Sequence, residues 1–379
     1  AERKRPGHAV CRYADAVIDS AGMYLTRLRL HDFRCFSTAD IEPNPSINVI
    51  TGDNASGKTT LLEAIYFLGR GQSFRQSGPR PAIRAGTNAF TVTGDIAVPD
   101  GRSHRVGVSR DKRGIRYRRD GDNETNRIDL INTLPLQMVD PNVHRLLEQG
   151  PRYRRHFLDW GVFHVEHAFF PAWRRFRRAL KQRNRALKSR MPKADIVVWD
   201  AELVRAAEVV DASRRAYIDH LHANLPGQAA KLLGDEPVVL EYDCGWRGDD
   251  GYGAALAASL DQDTRAGFTQ QGPHRADLRI SIATAAARDW VSRGQQKILT
   301  TAMLLTQARL LYARRHVRPV LLIDDMAAEL GARYRQVLAE EIAALGGQCF
   351  LTFLEPDLVP DVLKGGSMFH VEHGAVRTG

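Results

Sequence analysis

Eight consecutive residues, Gly52-Asp53-Asn54-Ala55-Ser56-Gly57-Lys58-Thr59, satisfy the phosphate-binding pattern G-x-x-x-x-G-K-[ST] without a mismatch. The pattern requires a strand before it and a helix after it. Ile47, Val49 and Ile50 supply a short β-rich run, and Leu61, Leu62, Ala64, Ile65 and Leu68 follow at helical spacing. Glycines let backbone N–H groups close around phosphate oxygens, and the helix start adds its positive dipole end. Lys58 is a compact charge for β- and γ-phosphates, and the Thr59 hydroxyl is a ligand for Mg²⁺. With Thr60, the segment predicts an α/β chain that binds a nucleoside triphosphate.

At 379 residues the chain has room for two or three domains, or for one large domain with an insertion. Its four cysteines (Cys11, Cys35, Cys244 and Cys349) lack C-x-x-C spacing, which argues against structural zinc or a disulfide framework and fits a reducing cytosol. No apolar run approaches the ~20 residues that cross a bilayer. The formal net charge of +10 suits a polyanionic partner. Residues 1–22 read as a non-native or disordered extension ahead of Met23, where the alternating strand pattern Tyr24–Leu30 begins.

Residues 90–118 alternate as strands. From about 140 to 235 the period turns helical. Trp173, Phe176, Leu180 and Leu187 form one narrow stripe, and Leu203, Ala207, Val210, Tyr217 and Leu221 mark a longer helix ahead of Pro226-Gly227. Short strands then return, followed by a helix over about 294–315 and the apolar strand Val320–Ile323. The expected organisation is an α/β lobe from 23–135 and 236–379 that encloses a helical insertion lobe at 136–235. Phe-His-Val-Glu-His occurs at 163–167 and 369–373, but neither copy has further ligands at zinc-finger spacing.

Two further segments narrow the chemistry. The strand 320–323 ends in Asp324-Asp325. Beside a phosphate loop, Asp324 can hold the Mg²⁺ that bridges phosphates, and Asp325 can orient or deprotonate the attacking water. Upstream, Ser292-Arg293-Gly294-Gln295-Gln296-Lys297 opens a helix and offers N–H groups and a hydroxyl to an anion, although a plain helix cap explains such a segment in isolation.

This order resembles the ABC-type ATPases, and within them the RecF family of bacterial recombination mediators. Leu30–Arg34, Gly52–Thr60, Gly150–Trp160, Gln182–Asn184, Gly272–Asp277, Ser292–Lys297 and Leu322–Leu330 carry the likeness, which spans 23 to about 373. The resemblance implies ATP sandwiched between two subunits, with Ser292, Gly294 and Gln295 of one facing the phosphate loop of the other. It gives Gln137 the place of a glutamine that senses Mg²⁺ and water, and sets Thr352 near a switch histidine of relatives. It implies an ATP-dependent homodimer on duplex DNA and single-strand/duplex junctions, acting in the cytoplasm with RecR and RecO to load RecA, with no membrane partner. Departures are Gly331, where an Asp is usual, and Asp325, where transporters carry Glu. That shorter base fits a slow, switch-like ATPase. His274 and Asp277 read as structural. A P-loop kinase of a small acceptor is the alternative, but such an enzyme has no use for the 292–297 signature.

Residues 152–190 hold twelve Arg or Lys against Asp159 and Glu166, an excess equal to that of the whole chain. On a helix, Arg174, Arg177, Arg178, Lys181, Arg185 and Lys188 fall opposite the apolar stripe. The one-signed charge predicts contact with a phosphate backbone without base preference.

Overall fold

Strands buried along nearly their whole length belong inside a sheet covered on both faces. In the computed structural model β3 (Ile47–Thr51) and β11 (Val320–Ile323) are such strands. They lie within a six-stranded sheet with β7 (Leu136–Val139), β12 (Cys349–Thr352), β13 (Ser367–Glu372) and β14 (Ala375–Thr378). The order is β14-β13-β3-β12-β11-β7, parallel except for the β13–β14 hairpin. The described residues are 22–75, 82–122, 125–234, 236–282, 285–287, 292–326 and 331–379. The expected extension up to Ala21, and Ala327–Leu330 of the segment after the acids, lie outside them.

A second, antiparallel sheet runs β2-β1-β4-β5-β6, built from β1 (Tyr24–Phe33), β2 (Phe36–Ile41), β4 (Phe90–Ala97), β5 (Ser103–Asp111) and β6 (Gly114–Arg119). Helix α1 (Lys58–Arg70) is buried between the two sheets. Its Leu61, Leu62, Ile65 and Leu68 join a core with Leu28 and Val92 of one sheet and Ile50, Leu322 and Phe350 of the other. Each such side chain contributes ~1.5–3 kcal/mol on burial, so the loop preceding α1 is anchored on both flanks.

The remaining helices are α2 (Arg127–Thr133), α3 (Arg145–Glu148), α4 (Pro151–Val165), α5 (Phe169–Lys188), α6 (Lys193–Val197), α7 (Asp200–Leu233), α8 (Gly251–Ala258), α9 (Leu260–Ala266), α10 (Arg293–Arg315) and α11 (Ala332–Leu345). Leu305 and Ala308 of α10 and Leu338, Ala339 and Ile342 of α11 cover the far face of the six-stranded sheet. The other side of α10, through Leu299, Met303 and Leu310, packs into the helical lobe with α4 and α7. One helix therefore serves both cores.

Three expectations are corrected. The insertion does not begin at 136, because β7 pairs with β11 in the ATPase sheet. Nor does the helical lobe end at 235. A small antiparallel sheet of β8 (Val238–Asp243), β9 (Asp277–Ile282) and β10 (Ala285–Ala286) packs Val238, Leu240, Leu278 and Ile280 against the helices. Finally, α7 does not stop before Pro226 but continues to Leu233. The proline removes one backbone donor. Beyond it, burial of Ala229 and Leu232 and the bonds of Gln228 (3.0 Å) and Lys231 (2.8 Å) to Glu341 hold the last turns.

Candidate nucleotide-binding site

Residues 52–59 leave the carboxyl end of β3 and turn into α1, which begins without a side-chain cap and so leaves its first N–H groups for a ligand. Two glycines are enforced by close approach. A Cβ at Gly52 (φ 142°) would lie 2.2 Å from the Val371 carbonyl oxygen, and one at Gly57 (φ 125°) would lie 3.1 Å from Cys35 Sγ. Asp53, Asn54, Ala55, Gly57, Lys58, Thr59 and Thr60 line a cleft of ≈ 690 Å³ together with Asp324, Asp325 and Thr352. Gly52 and Ser56 stand behind this lining. Ser56 Oγ is buried with no hydrogen-bond partner among the described residues, a polar atom kept for something the loop can enclose.

Lys58 Nζ donates to the carbonyls of Gly52 (2.5 Å) and Asp53 (2.8 Å). Burial draws its pKa below the ordinary lysine value, against the pull of Asp325, Asp324 and Asp53. The two acids after β11 occupy different surroundings. Asp324 is buried, and its Oδ1 accepts from Thr59 Oγ1 (3.0 Å) and Thr352 Oγ1 (2.8 Å). Burial raises its pKa, opposed by those two hydroxyls. Asp325 is exposed at φ 52°, with its N–H donating to Thr352 Oγ1 at 2.7 Å. A buried carboxylate and a threonine hydroxyl converging beside an ammonium make the oxygen-donor set that Mg²⁺ takes with a triphosphate. Thr59 and Asp324 fit it.

Gln137, expected to sense Mg²⁺ and water, is not among the residues lining the cleft. It sits inside β7, opposite Leu321 and two residues short of the strand's carboxyl end. Its buried Nε2 donates to Gln307 Oε1 of α10 at 2.9 Å, and Gln307 Nε2 donates to the Phe157 carbonyl of α4 at 2.9 Å. The residue that reaches the site's level is Asp140, next to Asp324 in the parallel register and raised in pKa chiefly by burial. An acid directly after the β7 run was the signal for it. Sequence reading gave no role to Arg34 or Arg75, which line the cleft. Arg34 is held by Glu63, a carboxylate buried inside α1, at 2.6 and 2.7 Å.

Ser292, Gly294 and Gln295 are not among the residues lining this cleft. They form the start of α10, exposed or partly so, where Ser292 Oγ accepts from Gln295 N (3.3 Å) and Gln295 Oε1 accepts from Ser292 N (3.0 Å). Thr352 is drawn into the site through Asp324 and Asp325. His274 and Asp277 are structural: Arg154 forks onto Asp277 at 2.7 and 2.9 Å, and His274 Nε2 meets the Thr269 carbonyl at 3.0 Å. No group of three His, Cys, Asp or Glu residues among the described residues could hold a metal, the two repeated histidine motifs included.

Of the twelve cations in 152–190, three are internal. Arg154 is committed to Asp277, Arg155 donates to the Ala276 carbonyl (2.6 Å), and the buried Arg183 pairs with Asp200 and Asp263 at 2.7 Å each. The other nine are exposed. On α5, Phe176 and Leu187 face inward while Arg174, Arg177, Arg178, Lys181, Arg185 and Lys188 face out, as the spacing predicts. Trp173 and Leu180 are only half-buried, with Arg177 stacked over the Trp173 ring at 5.4 Å.

A phosphate loop and a strand-end acid in one mixed sheet, with the Ser-x-Gly-Gln helix start on a second lobe, define an ABC-type P-loop ATPase. Residues 24–377 match the family model of the RecF/RecN/SMC N terminal domain. The chain is 41% identical over 359 residues to the DNA replication and repair protein RecF of Pseudomonas aeruginosa, covering 93% of this chain and 97% of that protein. Against RecF of Shewanella piezotolerans the identity is 39%, over 93% and 99%. The chain belongs to the RecF family. Its fold is similar to a solved structure of the recombination mediator protein RecF-ATP in the RecFOR pathway (TM-score 0.84, 24% identity, 94% of this chain and 98% of that one). An Smc head bound to a domain of ScpA shares it more distantly (TM-score 0.60, 15% identity, 94% and 97%).

Proposed function

We propose that this chain is an ATP-controlled DNA-binding protein of recombinational repair and replication, and that ATP closes two copies around duplex DNA. The observation that carries the reading is the convergence of Lys58, Thr59, Asp324 and Thr352 on one cleft, in a chain whose relatives are named DNA replication and repair proteins. Lys58 exchanges the Gly52 and Asp53 carbonyls for phosphate oxygens. Thr59 and Asp324 would hold Mg²⁺, which would supply neutralisation of the phosphate charge. Asp325, in the exposed position, orients the water that attacks the γ-phosphate and receives its proton. Ser292, Gly294 and Gln295 close the site from the partner copy, because in their own subunit they lie apart from the cleft. Hydrolysis opens the pair and releases DNA.

The outward face of α5 supplies the DNA contact, through cations that mostly lack carboxylate partners among the described residues. RecR and RecO are the partners that the RecFOR pathway suggests, with RecA loading at gaps as the outcome. Among the described residues no helix is long and apolar enough to cross a membrane; the reading places its work on DNA in the cytoplasm. The deciding experiment is solution mass with and without ATP–Mg²⁺, repeated with duplex DNA. A chain that stays monomeric in all conditions sinks the reading, and ATP consumption on adding a small acceptor would favour the kinase alternative.

A further inference from the structure

Large hydrophobic side chains left exposed are few among the described residues, and four of the nine fall within nine consecutive positions: Met191, Val197, Val198 and Trp199. They crown the tip of the helical lobe, where α5 passes through α6 into α7. Val198 is 68% exposed. The backbone beneath them is tightly built. Ile196 is buried against Ala186 and Leu187, the Met191 N–H donates to the Ala186 carbonyl at 3.1 Å, and the Trp199 N–H donates to the Ile196 carbonyl at 3.4 Å. A fixed scaffold thus holds apolar groups in water, the usual mark of a surface meant to be covered. Around them the unpaired charge is mostly positive, with Asp195 the exposed acid inside the segment. Arg185, Lys188 and Arg190 are exposed and have no carboxylate partner among the described residues, whereas Lys193 is neutralised by Asp261.

We infer that this tip is a docking knob for a partner protein that presents an apolar pocket rimmed by carboxylates. Three of the four exposed groups are aliphatic. Such groups gain by entering an apolar pocket and offer no ring on which bases could stack, which favours protein over nucleic acid. The surrounding cations select an acidic rim and hasten encounter, while the buried aliphatic centre sets how long the complex lasts. The knob ends α5, so a protein gripping it sits beside DNA held on that helix. The inference rests on the recombination-mediator reading, which supplies the proteins to try.

Purified RecR and purified RecO are titrated separately against the full-length chain with ATP–Mg²⁺, comparing wild type with a V197S/V198S variant. One of the two should bind wild type, and the variant should bind it at least tenfold more weakly, with ATP affinity and duplex-DNA affinity within twofold of wild type. Both valines are exposed, so the thermal midpoint should hold, which verifies that the variant is folded. Arg190→Glu should slow association with the same partner and reduce its salt dependence. A V197S/V198S chain that binds the partner like wild type overturns the knob and leaves the mediator reading standing. Weaker DNA binding with partner affinity intact assigns the tip to nucleic acid, and a lower solution mass than wild type assigns it to a second copy; either overturns the proposal. Wild type binding neither protein removes the knob and the RecR/RecO part of the reading together.

Discussion

The phosphate loop and the start of α10 are both helix N-termini, yet they are finished to different degrees. At the loop, Lys58, Thr59, Asp324 and Thr352 converge, Ser56 Oγ is left without a partner among the described residues, and α1 has no side-chain cap. At α10, Ser292 and Gln295 satisfy each other in a reciprocal cap. The first is a site with unmet demands. The second is stable by itself and becomes a ligand only if another chain's phosphate competes for its groups. Exposed capping bonds of this kind are worth ~1 kcal/mol, so the exchange is cheap.

The largest effect should come from Lys58→Ala. Removing the cationic group should abolish ATP-driven dimerisation, read as solution mass with ATP–Mg²⁺, and normal dimers would sink the role given to the loop. Arginine is an unsafe control there, since its planar fork does not replace a compact ammonium. Next, Ser292→Arg should leave ATP binding to the single subunit within a few-fold while blocking closure. Mixed with Lys58→Ala, it should restore part of the hydrolysis, because one heterodimer site pairs an intact loop with an intact cap. No recovery, once heterodimers are shown, argues against a shared site.

Asp325→Asn should lower turnover by ~10²-fold or more, the usual scale of general-base loss, and accumulate the closed dimer. Asp324→Asn should instead weaken Mg²⁺-dependent binding. Identical behaviour would mean that metal ligand and base are misassigned. On the DNA face, reversing Arg174, Arg178 and Lys181 to Glu should weaken binding to all sequences alike. The log–log salt slope should flatten by about 0.9 for each phosphate that the helix no longer neutralises, with dimerisation by ATP alone unchanged. A full slope in a folded variant would move the DNA surface off α5. The smallest effect belongs to Gln137→Leu. It should cost ~1–3 kcal/mol of stability in a denaturant titration, by stranding Gln307 Oε1, and leave Mg²⁺ affinity as it was.

What the sequence disclosed follows from how local each signal is. Residues 52–59, the strand 320–323 and the helix from about 294 carry their instructions in spacing and glycine chemistry, and the structure places them as read. The place of Gln137 was not legible because it depends on strand register: three positions further along, Asp140 follows the β7 run beside β11. Arg154 and Arg183 look identical to Arg178 in a charge count, but their partners Asp277 and Asp263 come from more than 75 residues away. Pro226 reads as a stop until packing on Glu341 outweighs one missing donor.

The Gln137–Gln307 pair has a mechanical meaning. It rivets the strand beside the acid-bearing β11 to the helix capped by Ser292, and a second hydrogen bond, from Gln307 Nε2 to the Phe157 carbonyl, fastens that helix to α4. Buried amide pairs have one good geometry, and sliding α10 by a single turn of about 5.4 Å would break both bonds with no water to replace them. Shear along this seam is therefore costly, and the position of Ser292 is tied to the edge of the sheet that carries Asp324.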